Sequence, residues 1–325
     1  MHAVRFEKTG GPEVLQTLEA DTPEPGAGEV LVRHAAIGVN FIDIYHRTGL
    51  YPVPLPSGLG QEAAGVVESV GPGVTRFRPD DRIAWAMAGL KAYADYAAVT
   101  AERCVRLPDA IDFEVAAAAL LKGMTAEFLL RRCYPVQSGQ AVLIHAAAGG
   151  VGQIMVQWAK TLGARVIATV GSEPKAEIAR RLGADEVILY RDQDVAAEVR
   201  RITSGAGVAV AYDSVGKDTF EGTLASLARR GCFVSYGNAS GPAPPVEPQR
   251  LSRLGSLFFT RPTLGDYVVT AEELDASANA VFDMILAGDL HVEIGQTYPL
   301  AQAATAQAAL EARTTVGTTL LMPGQ

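Results

Sequence analysis

The sequence predicts an α/β chain of two domains: a mostly β domain drawn from both ends of the chain, and a doubly wound parallel sheet between them. Three observations carry this. The chain has 325 residues, room for about two domains at roughly 150 residues each. Its composition shifts near residue 122, from short segments rich in Val, Gly and Pro to alternating strand-like and helix-like ones. The second region also opens on a glycine-bearing turn set between an apolar strand and an amphipathic helix.

In the first region the strand candidates are residues 4–7, 29–37, 62–70, 82–85 and 92–99, separated by turns such as Thr22-Pro23-Glu24-Pro25-Gly26 and Val70-Gly71-Pro72-Gly73. Short strands with that punctuation predict a mostly antiparallel barrel or sandwich. From residue 141 strands are predicted at 141–145, 165–170, 186–189, 208–212, 232–236 and 256–260, with helices at 150–162, 175–182, 195–202 and 220–229. Alternation at this spacing points to parallel strands joined by helical crossovers. In the first helix Val151, Ile154, Met155, Trp158 and Leu162 share one face, while Gln153, Gln157 and Lys160 fall elsewhere; Gly163 marks its end. Past Pro262 come a helix at 272–287, opened by Thr270 and closed by Gly288, a helix at 300–312 and a strand at 318–322. These have no place in a six-stranded sheet, so the chain is expected to return to its first domain. The expected division is residues 1–122 with 261–325, and residues 123–260.

Acidic residues outnumber basic ones 36 to 28. That balance argues against a nucleic-acid binder, whose phosphate contacts need a basic face. The longest apolar run, residues 115–121, falls well short of the roughly 20 residues that span a bilayer, and residues 1–10 contain no apolar signal segment. Cys104, Cys133 and Cys232 are dispersed and form no paired motif. Such usage fits free thiols in a reducing cytoplasm.

The most informative stretch is Ala141-Val-Leu-Ile-His-Ala-Ala-Ala-Gly149-Gly150-Val151-Gly152. A strand, a tight turn and a helix N-terminus make up the context of a dinucleotide-binding fingerprint. On the G-x-G-x-x-G template, Ala147 replaces the first glycine, Gly149 lets the backbone approach a pyrophosphate, and Gly152 lets helix and strand pack closely. The helix start supplies free N–H groups and partial positive charge. The next strand selects the cofactor. An NAD site places Asp or Glu at its tip to bind the ribose 2′-hydroxyl. Here the tip is Gly171-Ser172, with Lys175 in the following turn and Tyr190 at the end of the third strand. Glycine, hydroxyls and an ammonium suit a 2′-phosphate, so NADPH is expected over NADH. Catalytic zinc needs three Cys, His, Asp or Glu ligands. None of the five histidines has a closely spaced cysteine partner, and no metal site is expected. His145, inside a strand, reads as a satisfied buried histidine.

Longer stretches carry a resemblance: Gly38-Val-Asn-Phe-Ile-Asp-Ile-Tyr-His-Arg-Thr-Gly-Leu-Tyr51, Gly58-Leu-Gly-Gln-Glu-Ala-Ala-Gly65, His145-Ala-Ala-Ala-Gly-Gly-Val-Gly152, Tyr212-Asp-Ser-Val-Gly216 and Phe259-Thr-Arg-Pro262. Nearly end to end, the chain resembles the zeta-crystallin-like NADPH:quinone oxidoreductases, a zinc-free branch of the medium-chain dehydrogenase/reductase superfamily. The resemblance implies a GroES-like catalytic domain, split in sequence, and a Rossmann domain. Zinc-dependent alcohol dehydrogenases of the superfamily carry a ligand cysteine where this chain has Asn40 and a ligand histidine where it has Gln61. Their third ligand is missing near Leu121 and Lys122. By the same resemblance Asn40 and Tyr45 contact the nicotinamide half of the cofactor, and Tyr51 stands at the mouth of the quinone site. Gly150 and Val151 contact pyrophosphate, and Gly171, Ser172, Lys175 and Tyr190 take the 2′-phosphate. Ser214, Asn238 and Arg261 add cofactor contacts, Arg261 by pairing with a phosphate.

The activity implied is hydride transfer from NADPH to a quinone in an interdomain cleft, with Asn40, Tyr45 and Tyr51 as the catalytic polar edge. Family members that pass single electrons leave that alternative open, and the proton source is either a tyrosine hydroxyl or water. Reduction of the C=C bond of an α,β-unsaturated ketone or aldehyde is the rival chemistry. A non-enzymatic NADPH-binding structural or RNA-binding role, found among relatives, is opposed by the cofactor loop and the acidic charge. The resemblance also implies a homodimer joined through the last sheet strand near residues 256–260, where Leu254, Leu257, Phe258 and Phe259 are apolar. A buried edge strand would carry the same residues.

Overall fold

The computed structural model describes residues 1–324. Its backbone contacts divide into two compact units, residues 1–122, 268–286 and 292–325 in one, residues 123–267 and 287–291 in the other.

The first unit is built on antiparallel strands. A three-stranded sheet pairs β1 (His2–Phe6) with β2 (Gln16–Glu19) on one side and, further along the chain, with β4 (Ser57–Gly58) on the other. The larger sheet contains β3 (Glu29–Val39), β5 (Glu62–Val70), β6 (Arg82–Ala86), β7 (Tyr96–Thr100), β8 (Cys104–Arg106), β15 (Ile294–Pro299) and β16 (Thr318–Met322). Its order is β15-β16-β3-β5-β6-β8, with β7 on β3. All its pairings are antiparallel except β15–β16. Phe6, Ile37, Leu59, Ile83, Trp85 and Tyr93 fill the core and are almost wholly buried. Each contributes on the order of 1.5–3 kcal/mol by leaving water. Helix α1 (Phe41–Thr48) follows β3, and α8 (Ala271–Leu286) and α9 (Ala303–Glu311) return from the far end of the sequence.

Helix α2 (Phe113–Phe128) contains the Lys122–Gly123 boundary between the units. The second unit is a six-stranded, all-parallel sheet of β9 (Ala141–Ile144), β10 (Arg165–Val170), β11 (Glu186–Leu189), β12 (Val208–Asp213), β13 (Leu227–Ser235) and β14 (Phe258–Thr260), in the order β11-β10-β9-β12-β13-β14. Helices α3 (Gly150–Thr161), α4 (Glu173–Arg181), α5 (Val195–Ile202), α6 (Phe220–Ser226) and α7 (Pro248–Arg253) make the crossovers. Leu143, Ile167, Phe220 and Phe233 lie at the core of this sheet. Among the described residues no helix is long and apolar enough to cross a membrane.

Three expectations are corrected. The helix expected over 220–229 ends at Ser226, and Leu227–Ser235 is strand. Leu-Ala-Arg-Arg suits a helix, yet Leu227 pairs with Val208 of β12, and that tertiary pairing overrides local propensity. The strand expected over 92–99 begins only at Tyr96. The helix expected over 300–312 is a short 3-10 turn, Leu300–Gln302, followed by α9. Thr270 does cap α8: its hydroxyl accepts from the Glu273 N–H at 3.2 Å while the Glu273 carboxylate accepts from the Thr270 N–H at 3.1 Å, a reciprocal box.

Candidate active site

In the first unit the site begins where β3 gives way to α1. Asn40 is the N-cap of α1 and keeps extended backbone angles. Asp43, three residues on, accepts the Asn40 backbone N–H at 2.9 Å, so the polar sequence Asn-x-x-Asp fixes the helix start. Gly49, at φ +83°, ends it.

The Asn40 side chain donates from Nδ2 to Glu62 Oε2 at 2.9 Å and to the Gly38 carbonyl at 3.3 Å. Glu62 opens β5 and is fully buried. Its Oε2 also accepts from Lys122 Nζ at 2.9 Å, and its Oε1 accepts from the Leu121 N–H at 2.6 Å. Gly38 provides the room: a Cβ there would collide with Glu62 Oε2 and with the Ala117 carbonyl.

Asp43 is buried too and accepts from the Tyr93 hydroxyl at 3.1 Å; its Oδ1 has no partner. Burial pushes its carboxyl up to about 7, against the opposing pull of the Asn40 N–H, the Tyr93 hydroxyl and the Lys122 charge. The chain of contacts continues through Gln307 Nε2 to the Tyr93 oxygen at 3.4 Å, Arg47 Nη1 to Gln307 at 3.0 Å and Arg47 Nη2 to Glu311 at 2.7 Å.

Tyr45 is buried on α1, and Tyr51 follows the helix; their rings meet edge-on with centroids 5.2 Å apart. His46 packs edge-on against Tyr51 at 5.8 Å. With the Gln61 amide donating to His46 Nε2 at 2.8 Å, the ring proton lies on Nδ1, which faces the Tyr51 carbonyl at 3.3 Å. Burial holds the His46 imidazole below its usual value and favours this neutral form.

In the second unit the predicted residues follow the carboxyl ends of successive strands. After β9, Ala146 adopts φ +51°, and Gly149 caps α3, which has no acidic residue in its first turn. Gly150 and Val151 are the first helical residues. Gly152 is required: a Cβ would collide with the Ala146 carbonyl and lie 2.8 Å from Ala147 Cα. After β10, Ser172 caps α4, but its side chain makes no capping bond. Lys175 lies in the first turn, and Glu173 is tied to Arg180 at 2.6 Å. After β11, the Tyr190 hydroxyl and Arg191 Nε reach the tip of β10, at 2.8 and 3.4 Å from where a Cβ on Gly171 would sit. After β12, Asp213 accepts the Val215 and Gly216 N–H groups at 2.7 and 3.0 Å and hydroxyls from Thr219 and Thr223. The loop holding Ser214 is bonded to the loop after β13, which holds Asn238, through the Ala239 N–H to the Ser214 carbonyl at 3.1 Å. Arg261 follows β14. His145 is satisfied as expected, with its ring nitrogens 3.0 Å from the Thr169 hydroxyl and 2.9 Å from the Thr223 hydroxyl.

Sequence reading missed Glu62, Lys122, His46 and Arg191. Glu62 and Lys122 left a signal as lone charges bordering apolar runs, 63–67 and 115–121.

A parallel sheet whose strand order reverses beside its first strand, with a glycine turn there, together with an antiparallel domain split in sequence, defines a medium-chain dehydrogenase/reductase. Residues 26–109 match the family described as alcohol dehydrogenase GroES-like domain, and residues 150–283 that described as zinc-binding dehydrogenase. The quinone oxidoreductase of Pseudomonas aeruginosa is 52% identical over 98% of this chain and 99% of its own length. The 2-haloacrylate reductase of a Burkholderia species is 45% identical over 99% of this chain and 98% of its own. The crystal structure of Escherichia coli quinone oxidoreductase complexed with NADPH superposes with a TM-score of 0.98 at 47% identity, covering 99% of this chain and 100% of that one. The chain belongs to the zeta-crystallin-like quinone oxidoreductase family.

The residues present do not fit the zinc of the second family description. Among the described residues no three His, Cys, Asp or Glu side chains converge to hold a metal, and the Glu62 carboxylate faces an ammonium. They do fit a phosphorylated dinucleotide: glycine at the N-cap of α3, an uncommitted cap at Ser172, and a hydroxyl and a guanidinium at the β10 tip.

Proposed function

We propose that the chain is an NADPH-dependent quinone reductase in which the first domain carries catalysis and the second binds the cofactor. One observation carries this: Gly149, Ser172, Tyr190, Ser214 and Asn238 all follow the carboxyl ends of neighbouring parallel strands, where open α/β sheets bind dinucleotides. Gly149, Gly150 and Val151 receive the pyrophosphate with backbone N–H groups. Gly171 keeps the strand tip open while Ser172, Lys175 and Tyr190 take the 2′-phosphate. Ser214 and Asn238 complete the cofactor cradle, and Arg261 pairs with a phosphate. NADPH, when bound, supplies a hydride. Asn40 and Tyr45 orient the nicotinamide half. Tyr51, braced by Tyr45 and His46, lines the mouth of the quinone site with a hydroxyl for the oxygen on which negative charge develops.

A second reading is favoured by the 2-haloacrylate reductase relative: reduction of an activated C=C bond with the same cofactor residues. Quinones and enones present the same conjugated electrophile. The test follows oxidation of NADPH and NADH with 1,4-benzoquinone, 9,10-phenanthrenequinone and a short alkenal, with and without chelator. Chelator-resistant, NADPH-selective quinone turnover is expected. Preference for the alkenal shifts the assignment to C=C reduction, and turnover of neither overturns the substrate class.

The same proposal includes a homodimer through β14, which pairs with β13 alone and leaves Phe258 62% exposed. It also includes a cytoplasmic setting, supported by the unpaired thiols Cys104, Cys133 and Cys232.

A further inference from the structure

Glu62 and Lys122 have no part in the roles assigned so far, yet they are the most deeply buried ion pair described, with side chains 0% and 6% exposed. Stability does not account for them. Taking two charges out of water costs several kcal/mol per ion, and apolar residues of the same size often serve as well. Their geometry points elsewhere. The carboxylate accepts from three donors on two separate parts of the chain: Asn40 Nδ2 at the start of α1, and the Leu121 N–H and Lys122 Nζ on α2. The Leu121 bond and the ion pair fix where the carboxylate stands. Gly38 clears the space for it.

An asparagine amide can sit in two orientations related by a half-turn, exchanging its oxygen and its NH2. Glu62 Oε2 and the Gly38 carbonyl are both acceptors, at 2.9 and 3.3 Å from Asn40 Nδ2. Only the orientation with NH2 toward them satisfies the pair. We infer that Glu62, held by Lys122 and the Leu121 N–H, is a positioning residue that sets which end of the Asn40 amide meets the cofactor and substrate. The inference rests on Asn40 lying in the proposed site.

The experiment is a double-mutant cycle on Glu62→Gln and Asn40→Ala, in the full chain, with 1,4-benzoquinone as substrate. A glutamine accepts through one oxygen only, so it cannot serve all three donors. Glu62→Gln is expected to lower kcat about tenfold or more with little change in the quinone KM, and to lower the melting temperature equally in both backgrounds, because Lys122 loses its buried counter-charge. In the Asn40→Ala background the same substitution is expected to cost no more than about twofold. The NADPH dissociation constant, read from nicotinamide fluorescence without turnover, is expected to follow the same pattern. Should Glu62→Gln fail to fold, Glu62→Asp keeps the charge opposite Lys122, withdraws the carboxylate from Asn40, and enters the same cycle. Equal losses of kcat in both backgrounds overturn the positioning role and leave the site reading intact. An Asn40→Ala variant with unchanged NADPH affinity and turnover overturns both.

Discussion

Asp43 is a buried carboxyl with one oxygen bonded and the other without a partner, and its ionisation is costly. The folded-state value, about 7, stands above the ordinary 3.8. Between those values the folded protein keeps a proton that the unfolded chain has released. The contribution to stability is therefore full below about pH 4 and is lost as the pH rises through 7. Tyr93, Lys122 and Glu62 are the titratable neighbours that act on it. Asp43→Asn mimics the protonated form, and its urea midpoint is expected to fall less than that of the parent between pH 5 and 8; parallel curves would exclude the effect. At the β10 tip, Lys175→Ala is expected to reduce kcat/KM for NADPH about 10- to 100-fold, the range of a lost charged hydrogen bond, with little change for NADH. Arg191→Ala moves the same ratio in the same direction. Equal losses with both cofactors would remove the 2′-phosphate assignment from these residues.

Elements with long, one-sided periodicity were legible: α3 through its five apolar positions, and the six parallel strands through alternation with helices. Helix α1 was not, because Phe-Ile-Asp-Ile-Tyr is rich in residues that also suit strands. β15 was hidden by Gly295 and Pro299, which an edge strand tolerates. The candidate site was legible where a close approach of backbone dictates the residue, as at Gly152. It was illegible where function depends on pairing across sequence. Asn40, Glu62 and Lys122 are separated by 22 and 60 residues, and only the β3–β5 pairing and the placement of α2 bring them together. Gly152→Ala tests the first kind of signal. Its Cβ meets backbone that no side-chain rotation can relieve. NADPH affinity is expected to fall about tenfold or more, measured by fluorescence titration; unchanged affinity would dissociate the turn from the cofactor.

For the molecule as a whole, the exposed apolar residues Leu254 and Phe258 beside an open sheet edge call for a covering surface. Phe258→Glu is expected to halve the mass measured by light scattering while NADPH binding persists. A parent protein already monomeric would withdraw the dimer. The split first unit has a further consequence, in the order of synthesis. β16 lies between β15 and β3, and its residues Thr319 and Leu320 pair with Val39 and Gly38, the last two positions before Asn40. On a ribosome adding roughly 5–20 residues per second, β3 waits on the order of 15 to 60 s for that partner. Residues 123–267 are made in the interval and hold a complete sheet of their own. The growing chain thus acquires its parallel sheet well before β3 acquires the neighbour that holds the positions leading into Asn40.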